Sequence, residues 1–323
     1  MEKIKIGICG FGNLGKGVLK NIINFPDMEL VSVFTRRDPL SLKLNCKVDS
    51  YDNIKNYQDK IDVMIMCGGS FNDLLDQVSN VSKYFNTVDS FDTHAKISNY
   101  YNTINDISKN NNHTSIISCG WDPGMFSLSR VMSDAILPSG KTYTFWGVGV
   151  SQGHSDAIRR VNGVKKAIQY TIPSIDAMNK VRNGEMPELS VSEKHTRECF
   201  VVVDSGADKE IIEKEIKTMP NYFDEYETTV NFIDEEEFDK NHNKMNHGGF
   251  VIHSANIDDN NQVIEYLLKL DSNPLFTSSV LLACARACFK FNKENKFGAY
   301  SMLDIAPRYY SSKSDDELRG NLL

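Results

Sequence analysis

Ile4-Lys5-Ile6-Gly7-Ile8-Cys9-Gly10-Phe11-Gly12-Asn13-Leu14-Gly15 carries the strongest signal in the chain. An apolar strand runs straight into Gly-x-Gly-x-x-Gly, and residues 16–23 follow with helical spacing. A strand, a tight glycine turn and a helix N-terminus together suit the pyrophosphate of a dinucleotide. Gly10 lets the chain turn, Gly12 lets backbone N–H groups approach phosphate, and Gly15 lets helix and strand pack closely. Cofactor contacts are therefore expected from Gly10, Phe11, Gly12, Asn13, Leu14 and Gly15.

The following strand ends in Thr35-Arg36-Arg37, where an NAD site carries an Asp or Glu that grips the ribose 2′-hydroxyl. Two guanidiniums and a hydroxyl suit a 2′-phosphate instead, because Arg clamps phosphate in a planar, bidentate manner. The expected cofactor is NADP(H). Two other readings stand beside it: Asp38 serving NAD, and a plain pair of solvated arginines.

At 323 residues the chain has room for two domains, each with its own core. Apolar content of 41% and charged content of 24% are those of a soluble globular protein. A net charge of −7 argues against nucleic acid as a partner. No apolar run approaches the ~20 residues of a membrane span, and the N-terminus enters a charged strand with no signal-peptide pattern. Seven scattered cysteines suit reduced thiols in a cytoplasm. Cys284 and Cys288 share a helix face without further ligands, and His242 and His247 make no zinc pair, so no metal is expected.

Strands at 3–9, 29–34, 63–67, 86–90 and 114–118 alternate with helices starting near Asn13, Ser70, His94 and Pro123. That alternation predicts an α/β fold with a Rossmann-type parallel sheet, helices on both faces and ligands along one edge. Cys67-Gly68-Gly69-Ser70, Ser90-Phe91-Asp92 and Cys119-Gly120-Trp121-Asp122-Pro123 end successive strands and are expected at the cofactor. Beyond residue 140 longer strands (142–150, 164–171, 197–204, 228–233, 249–255 and 262–270) predict an α+β substrate and dimerisation domain with a mixed sheet. In the last of these, Ile264, Tyr266, Leu268 and Leu270 alternate as a half-covered sheet requires, a natural homodimer surface. The domains read as 1–120, with 274–323 packing back onto it through a helix at 273–292 and a strand at 299–305, and 121–273.

Asp92 and Asp122 both follow strands of the first domain. Paired carboxylates at a hydride-transfer site suit a cationic amine, holding it and mediating proton movement. A helix cap for Asp92 and a turn role for Asp122 in Asp-Pro-Gly are the plain alternatives.

Longer runs are more specific: Val88-Asp89-Ser90-Phe91-Asp92, Gly120-Trp121-Asp122-Pro123-Gly124-Met125-Phe126-Ser127, Phe145-Trp146-Gly147, Ser151-Gln152-Gly153-His154-Ser155-Asp156-Ala157, Gln169-Tyr170-Thr171, His247-Gly248-Gly249 and Leu270-Asp271-Ser272-Asn273-Pro274. Through them the chain resembles, nearly end to end, the meso-diaminopimelate dehydrogenases, NADP-dependent enzymes of a short bacterial lysine pathway. The resemblance implies reversible oxidative deamination of the D-centre of meso-2,6-diaminopimelate to L-2-amino-6-oxopimelate and ammonium. It places Asp92 and Asp122 beside the reacting amine, with Trp121, Trp146, Gln152 and Gly153 shaping that end. It places Thr171, Arg197 and His247 on the distal carboxylate, with Asn273 at the same end. Competing readings are another NADPH-dependent reductase of amino-acid metabolism and a non-catalytic NADP(H) sensor. The Trp-Asp-Pro-Gly run, the two aspartates and Arg197 argue against the first, and a sensor would have no reason to keep paired carboxylates together with a distal cation.

Overall fold

Ile4, Ile6 and Ile8 of strand β1 (Ile4–Cys9) enter one core cluster while Cys9 enters another, so the strand is buried on both faces. A parallel sheet covered by helices requires that burial, and each large apolar side chain withdrawn from water stabilises the fold by ~1.5–3 kcal/mol. The computed structural model describes residues 3–69 and 73–323. After β1 come α1 (Asn13–Asn21), β2 (Met28–Thr35), β3 (Val48–Ser50), β4 (Val63–Met66), α2 (Leu74–Val81), β5 (Asn86–Asp89), α3 (Ile97–Asn110), β6 (Thr114–Ile116) and α4 (Met125–Ile136). In β4 Val63 and Ile65 join the cluster of Ile6, and Met64 and Met66 join that of Cys9.

The middle of the chain forms β7 (Lys141–Trp146), β8 (Gly149–Val150), α5 (Gln152–Ile158), β9 (Val164–Pro173), α6 (Ile175–Arg182), α7 (Val191–Lys194), β10 (His195–Val203), α8 (Lys209–Lys217), β11 (Thr228–Phe232), α9 (Glu235–Asn241), β12 (His247–Ile257) and β13 (Asn260–Leu270). It closes with α10 (Asn273–Lys293), β14 (Gly298–Tyr300) and α11 (Asp315–Leu322). Two compact units result: Met1–Leu128 with Pro274–Leu323, and Ser129–Asn273. The first boundary falls inside α4 rather than at 120/121, because Met125 and Leu128 pack on the core of the first unit.

In the first unit seven parallel strands run in the order β14-β6-β5-β4-β1-β2-β3. The order reverses between β1 and β4, so the loops leaving their carboxyl ends diverge and open a crevice. β3 escapes a sequence reading because it is a three-residue, half-buried edge strand. The strand expected to reach residue 305 stops at Tyr300, where Ser301 and Asp304 form a capping box on a 3-10 turn. The helix expected from Ser70 is described only from Leu74, since Ser70 lies outside the described residues. Helix α10 is long and apolar enough by length and composition to cross a membrane, a feature not anticipated from the sequence. Ten of its residues are buried, and its Arg286 binds Asp27 at 2.6 Å and the Tyr310 carbonyl. It is a core helix of this unit.

The second unit holds two sheets where one was expected. The mixed sheet runs β11-β10-β9-β8, with β10 and β11 parallel and the other pairs antiparallel. Beside it β13-β12-β7 form an antiparallel sheet. The single strand expected over 142–150 is therefore two, one in each sheet. The chain changes sheets at Gly147, whose φ of +108° and 2.0 Å clearance from the Thr171 carbonyl admit no side chain. On β13, Leu270 is buried and Ile264 and Leu268 half-buried, whereas Tyr266 and, on the opposite face, Leu267 are exposed.

Replacing Asp27 by Ala strands the buried Arg286 guanidinium and is expected to cost about 3 kcal/mol in urea unfolding. The Arg286 hydrogen bonds hold the Asp27 carboxyl below its usual range, so the wild-type increment is present at neutral pH and lost on acidification. The Asp27→Ala protein should lack that acid-dependent component.

Candidate active site

The crevice at the strand-order reversal is a cavity of about 500 Å³ lined by the loops after β1, β2 and β4. Gly10 (φ +96°) makes the turn, and a Cβ on Gly15 would stand 2.2 Å from the Gly10 carbonyl. Only glycine lets α1 approach the strand end this closely, while Gly12, the N-cap of α1, faces open space. Arg37 donates to the Phe11 carbonyl at 2.6 Å and its backbone N–H to Thr35 Oγ1 at 3.1 Å, which ties the end of β2 to the glycine turn. Arg36, largely exposed, pairs with Asp73 at 2.8 Å. A glycine cradle at a helix start beside two guanidiniums fits the pyrophosphate and 2′-phosphate of NADP(H).

Of the expected cofactor residues, Gly10, Phe11, Gly12, Thr35, Arg36, Arg37, Cys67, Gly68 and Gly69 line this cavity. Asn13, Leu14 and Gly15 form the first turn of α1 behind it. Ser90, Phe91, Asp92, Cys119, Gly120, Trp121, Asp122 and Pro123 do not line it, because β5 and β6 lie one and two strands beyond β4 along the edge. Sequence reasoning missed Tyr51, Asp73 and Gln77, which also line it. Asp73 and Gln77 stand one helical turn apart at the start of α2, the only local sign that they share a face.

Asp92 and Asp122 sit on the loops that leave the adjacent strands β5 and β6. Thr93, not Asp92, is the N-cap of the 3-10 turn at His94–Lys96. Trp121 meets Phe126 edge-on at 5.3 Å, and Gly124 closes the turn with its Cβ position 2.1 Å from the Gly120 carbonyl. Burial pushes the Cys67 and Cys119 thiols far up, so neither is a ready nucleophile.

The second unit gathers a different set. Arg197 and Thr171 are cross-strand partners on β10 and β9, and Arg197 Nη1 donates to Thr171 Oγ1. Gly149 pairs with Thr171 and lies 2.5 Å, measured from its Cβ position, from His247 Cα. A side chain at 149 would drive His247 away. Arg197 is 7% exposed, lies 4.0 Å over the Tyr226 ring, and has no carboxylate partner among the described residues. Its Nε is buried without a hydrogen bond. Burial lowers its pKa, opposed by Tyr226.

Burial and the Arg197 charge depress the neighbouring histidines: His154 to about 4, His195 to about 3, and His247 below its usual value. All three are neutral at physiological pH, so the positive charge of the cluster rests on Arg197. His247 Nδ1 lies 2.8 Å from the Gly248 N–H and 3.1 Å from the Gly248 carbonyl, which ties the ring to the backbone at the start of β12. His195 Nε2 accepts the Trp146 N–H at 2.8 Å, and the two rings stack at 5.3 Å. His154, His195 and Tyr226 were not singled out in the sequence: His195 shares the Arg197 face of β10 by strand alternation, whereas His154 and Tyr226 come from segments distant in the chain. Gln152 and Gly153 are exposed at the start of α5, where Gln152 reaches Met245. Asn273 opens α10, its N–H on the Met245 carbonyl at 2.9 Å.

Residues 120–272 match the diaminopimelic acid dehydrogenase C-terminal domain. The chain is 56% identical over 326 residues to meso-diaminopimelate D-dehydrogenase of Ureibacillus thermosphaericus, covering all of both proteins. It belongs to the meso-diaminopimelate D-dehydrogenase family. Among solved structures, the Corynebacterium glutamicum diaminopimelate dehydrogenase in complex with DAP aligns over all of both chains with a TM-score of 0.95 at 42% identity. An engineered D-amino acid dehydrogenase bound to NADP+ aligns over 99% of this chain and 100% of that one, with a TM-score of 0.90 at 41% identity. This member of the family is an oxidoreductase that acts on a CH–NH2 group and uses NADP(H).

Arg36→Ala should weaken NADP+ binding by about tenfold to a hundredfold, the worth of one charged hydrogen bond. NAD+ binding should change little; fluorescence titration of both cofactors decides, and equal losses would remove Arg36 from the 2′-phosphate.

Proposed function

We propose that this chain oxidatively deaminates the D-configured centre of meso-2,6-diaminopimelate, reversibly, giving L-2-amino-6-oxopimelate and ammonium in lysine biosynthesis. The observation that carries the reading is Arg197: a buried guanidinium among neutral histidines, without a carboxylate of its own, awaits an anion. Thr171 and His247 complete a polar set for the distal carboxylate, with Asn273 at the same end. Asp92 and Asp122 hold the reacting ammonium, and Trp121, Trp146, Gln152 and Gly153 shape that end. NADP(H), held by Gly10–Gly15, Thr35, Arg36 and Arg37, supplies the hydride acceptor. Ser90, Phe91, Cys119, Gly120 and Pro123 extend the cofactor contacts along the same strand edge. Oxidation of that carbon gives an imine, which water hydrolyses to the oxo acid. The two aspartates stabilise the cationic amine and take up the proton it sheds.

A cytoplasmic homodimer completes the proposal. Seven free thiols, six of them buried, suit a reducing compartment. The exposed Val263, Tyr266 and Leu267 of β13 offer an apolar edge strand that a second copy would cover.

Absorbance of NADPH on adding meso-diaminopimelate, against the LL isomer, D-alanine and homoserine, tests the reaction; a rate with homoserine but none with the meso compound would sink it. The amine must be neutral when hydride leaves, so the oxidative rate should rise toward alkaline pH. Arg197→Ala should raise KM for diaminopimelate by about tenfold to a hundredfold, leaving NADP+ affinity within about threefold.

A further inference from the structure

Asp89 ends β5 three residues before Asp92 and is completely buried. Its Oδ1 accepts the N–H of Phe91 at 2.9 Å, an Asx turn that starts the loop bearing Asp92. The same oxygen accepts the N–H of Ser118 at 3.1 Å, on the segment leading to Asp122. Its Oδ2 accepts the Tyr100 hydroxyl of α3 at 2.7 Å, and its backbone carbonyl accepts the Cys119 N–H at 2.8 Å. Tyr100 in turn stacks on Phe91 at 4.1 Å. Ser118 holds a left-handed φ of +55°, a conformation that a serine adopts only when its surroundings impose it. One side chain therefore gathers donors from two loops and a helix.

The chemistry proposed above makes no use of Asp89, yet both reacting carboxylates follow the segments it binds. Burial pushes its carboxyl up to about 6, against the pull of the three donors. A carboxyl group offers two acceptor oxygens on one short side chain, so a single residue can hold both backbone N–H groups and the Tyr100 hydroxyl. We infer that Asp89 is a positioning residue: it locks the Asp92 loop and the Asp122 loop to each other and so sets where the two carboxylates stand. The inference rests on reading Asp92 and Asp122 as the grip on the reacting amine.

The test compares Asp89→Ala and Asp89→Asn in the full chain by amide hydrogen exchange and by kinetics. In Asp89→Ala the amides of Phe91, Ser118 and Cys119 should all exchange faster, by about tenfold or more. The kcat with meso-diaminopimelate should fall about a hundredfold, the effect of an ångström-scale misplacement, while the NADP+ Kd moves less than about threefold. Asp89→Asn, whose amide oxygen accepts the same two N–H groups, should recover most of both losses. Loosening of one loop alone, loosening with kcat intact, or NADP+ affinity falling with kcat would each overturn the inference. Should the Ala protein fail to fold, Tyr100→Phe removes one donor and leaves the ring; unchanged exchange at all three amides would then overturn it. Exchange is read without substrate, so an enzyme inert toward meso-diaminopimelate would refute the proposed reaction and leave the Asp89 coupling separately measurable.

Discussion

Burial of the first unit's strands on both faces constrains everything else in it. Strands such as β1 and β4 have no solvent-facing side, so polar chemistry can gather only where they end. Parallel pairing puts those ends on one edge, and the reversal of strand order between β1 and β4 opens that edge into a cavity. The glycines follow from the same constraint: α1 must pack against the sheet that its preceding turn has just left. At Gly15 the margin is less than one methyl group.

The second unit holds a buried cation without a carboxylate partner among the described residues. Arg197 sits where its charge is costly, and the nearby titratable groups give way to it: three histidines are pushed toward neutrality and none competes as a cation. Tyr226 under the guanidinium and Thr171 against it fix its plane without neutralising it. Such an arrangement gains from a carboxylate far more than from a neutral group, because an apolar ligand would leave the buried cation unanswered.

Much of this was legible in the chain. The glycine turn, the arginines after β2 and the alternation of strands and helices announce a dinucleotide fold, since each depends on residues close in sequence. The longer runs around Trp121, Gln152 and His247 pointed to the family. Less was legible where partners are far apart. Asp73, Gln77 and Tyr51 join the nucleotide cavity from elements whose sequences look ordinary. The split of residues 142–150 between two sheets turns on the clearance at Gly147 from a carbonyl on β9, which no local pattern records.

Local periodicity and turn chemistry act over a few residues, and they are enough to specify which segments become strands, where glycine is obligatory and which side chains carry charge. Whether a charge is matched or left alone is a property of the assembled fold. Arg197 reads as an ordinary strand arginine until Thr171 of β9 and the Tyr226 ring arrive against it. Asp89 reads as an ordinary strand end until the backbone of residues 118–119 and the hydroxyl of Tyr100 arrive from elsewhere in the chain. Desolvation and hydrogen bonding across distant segments decide both, because the energy of a buried ionised group depends on every element packed around it.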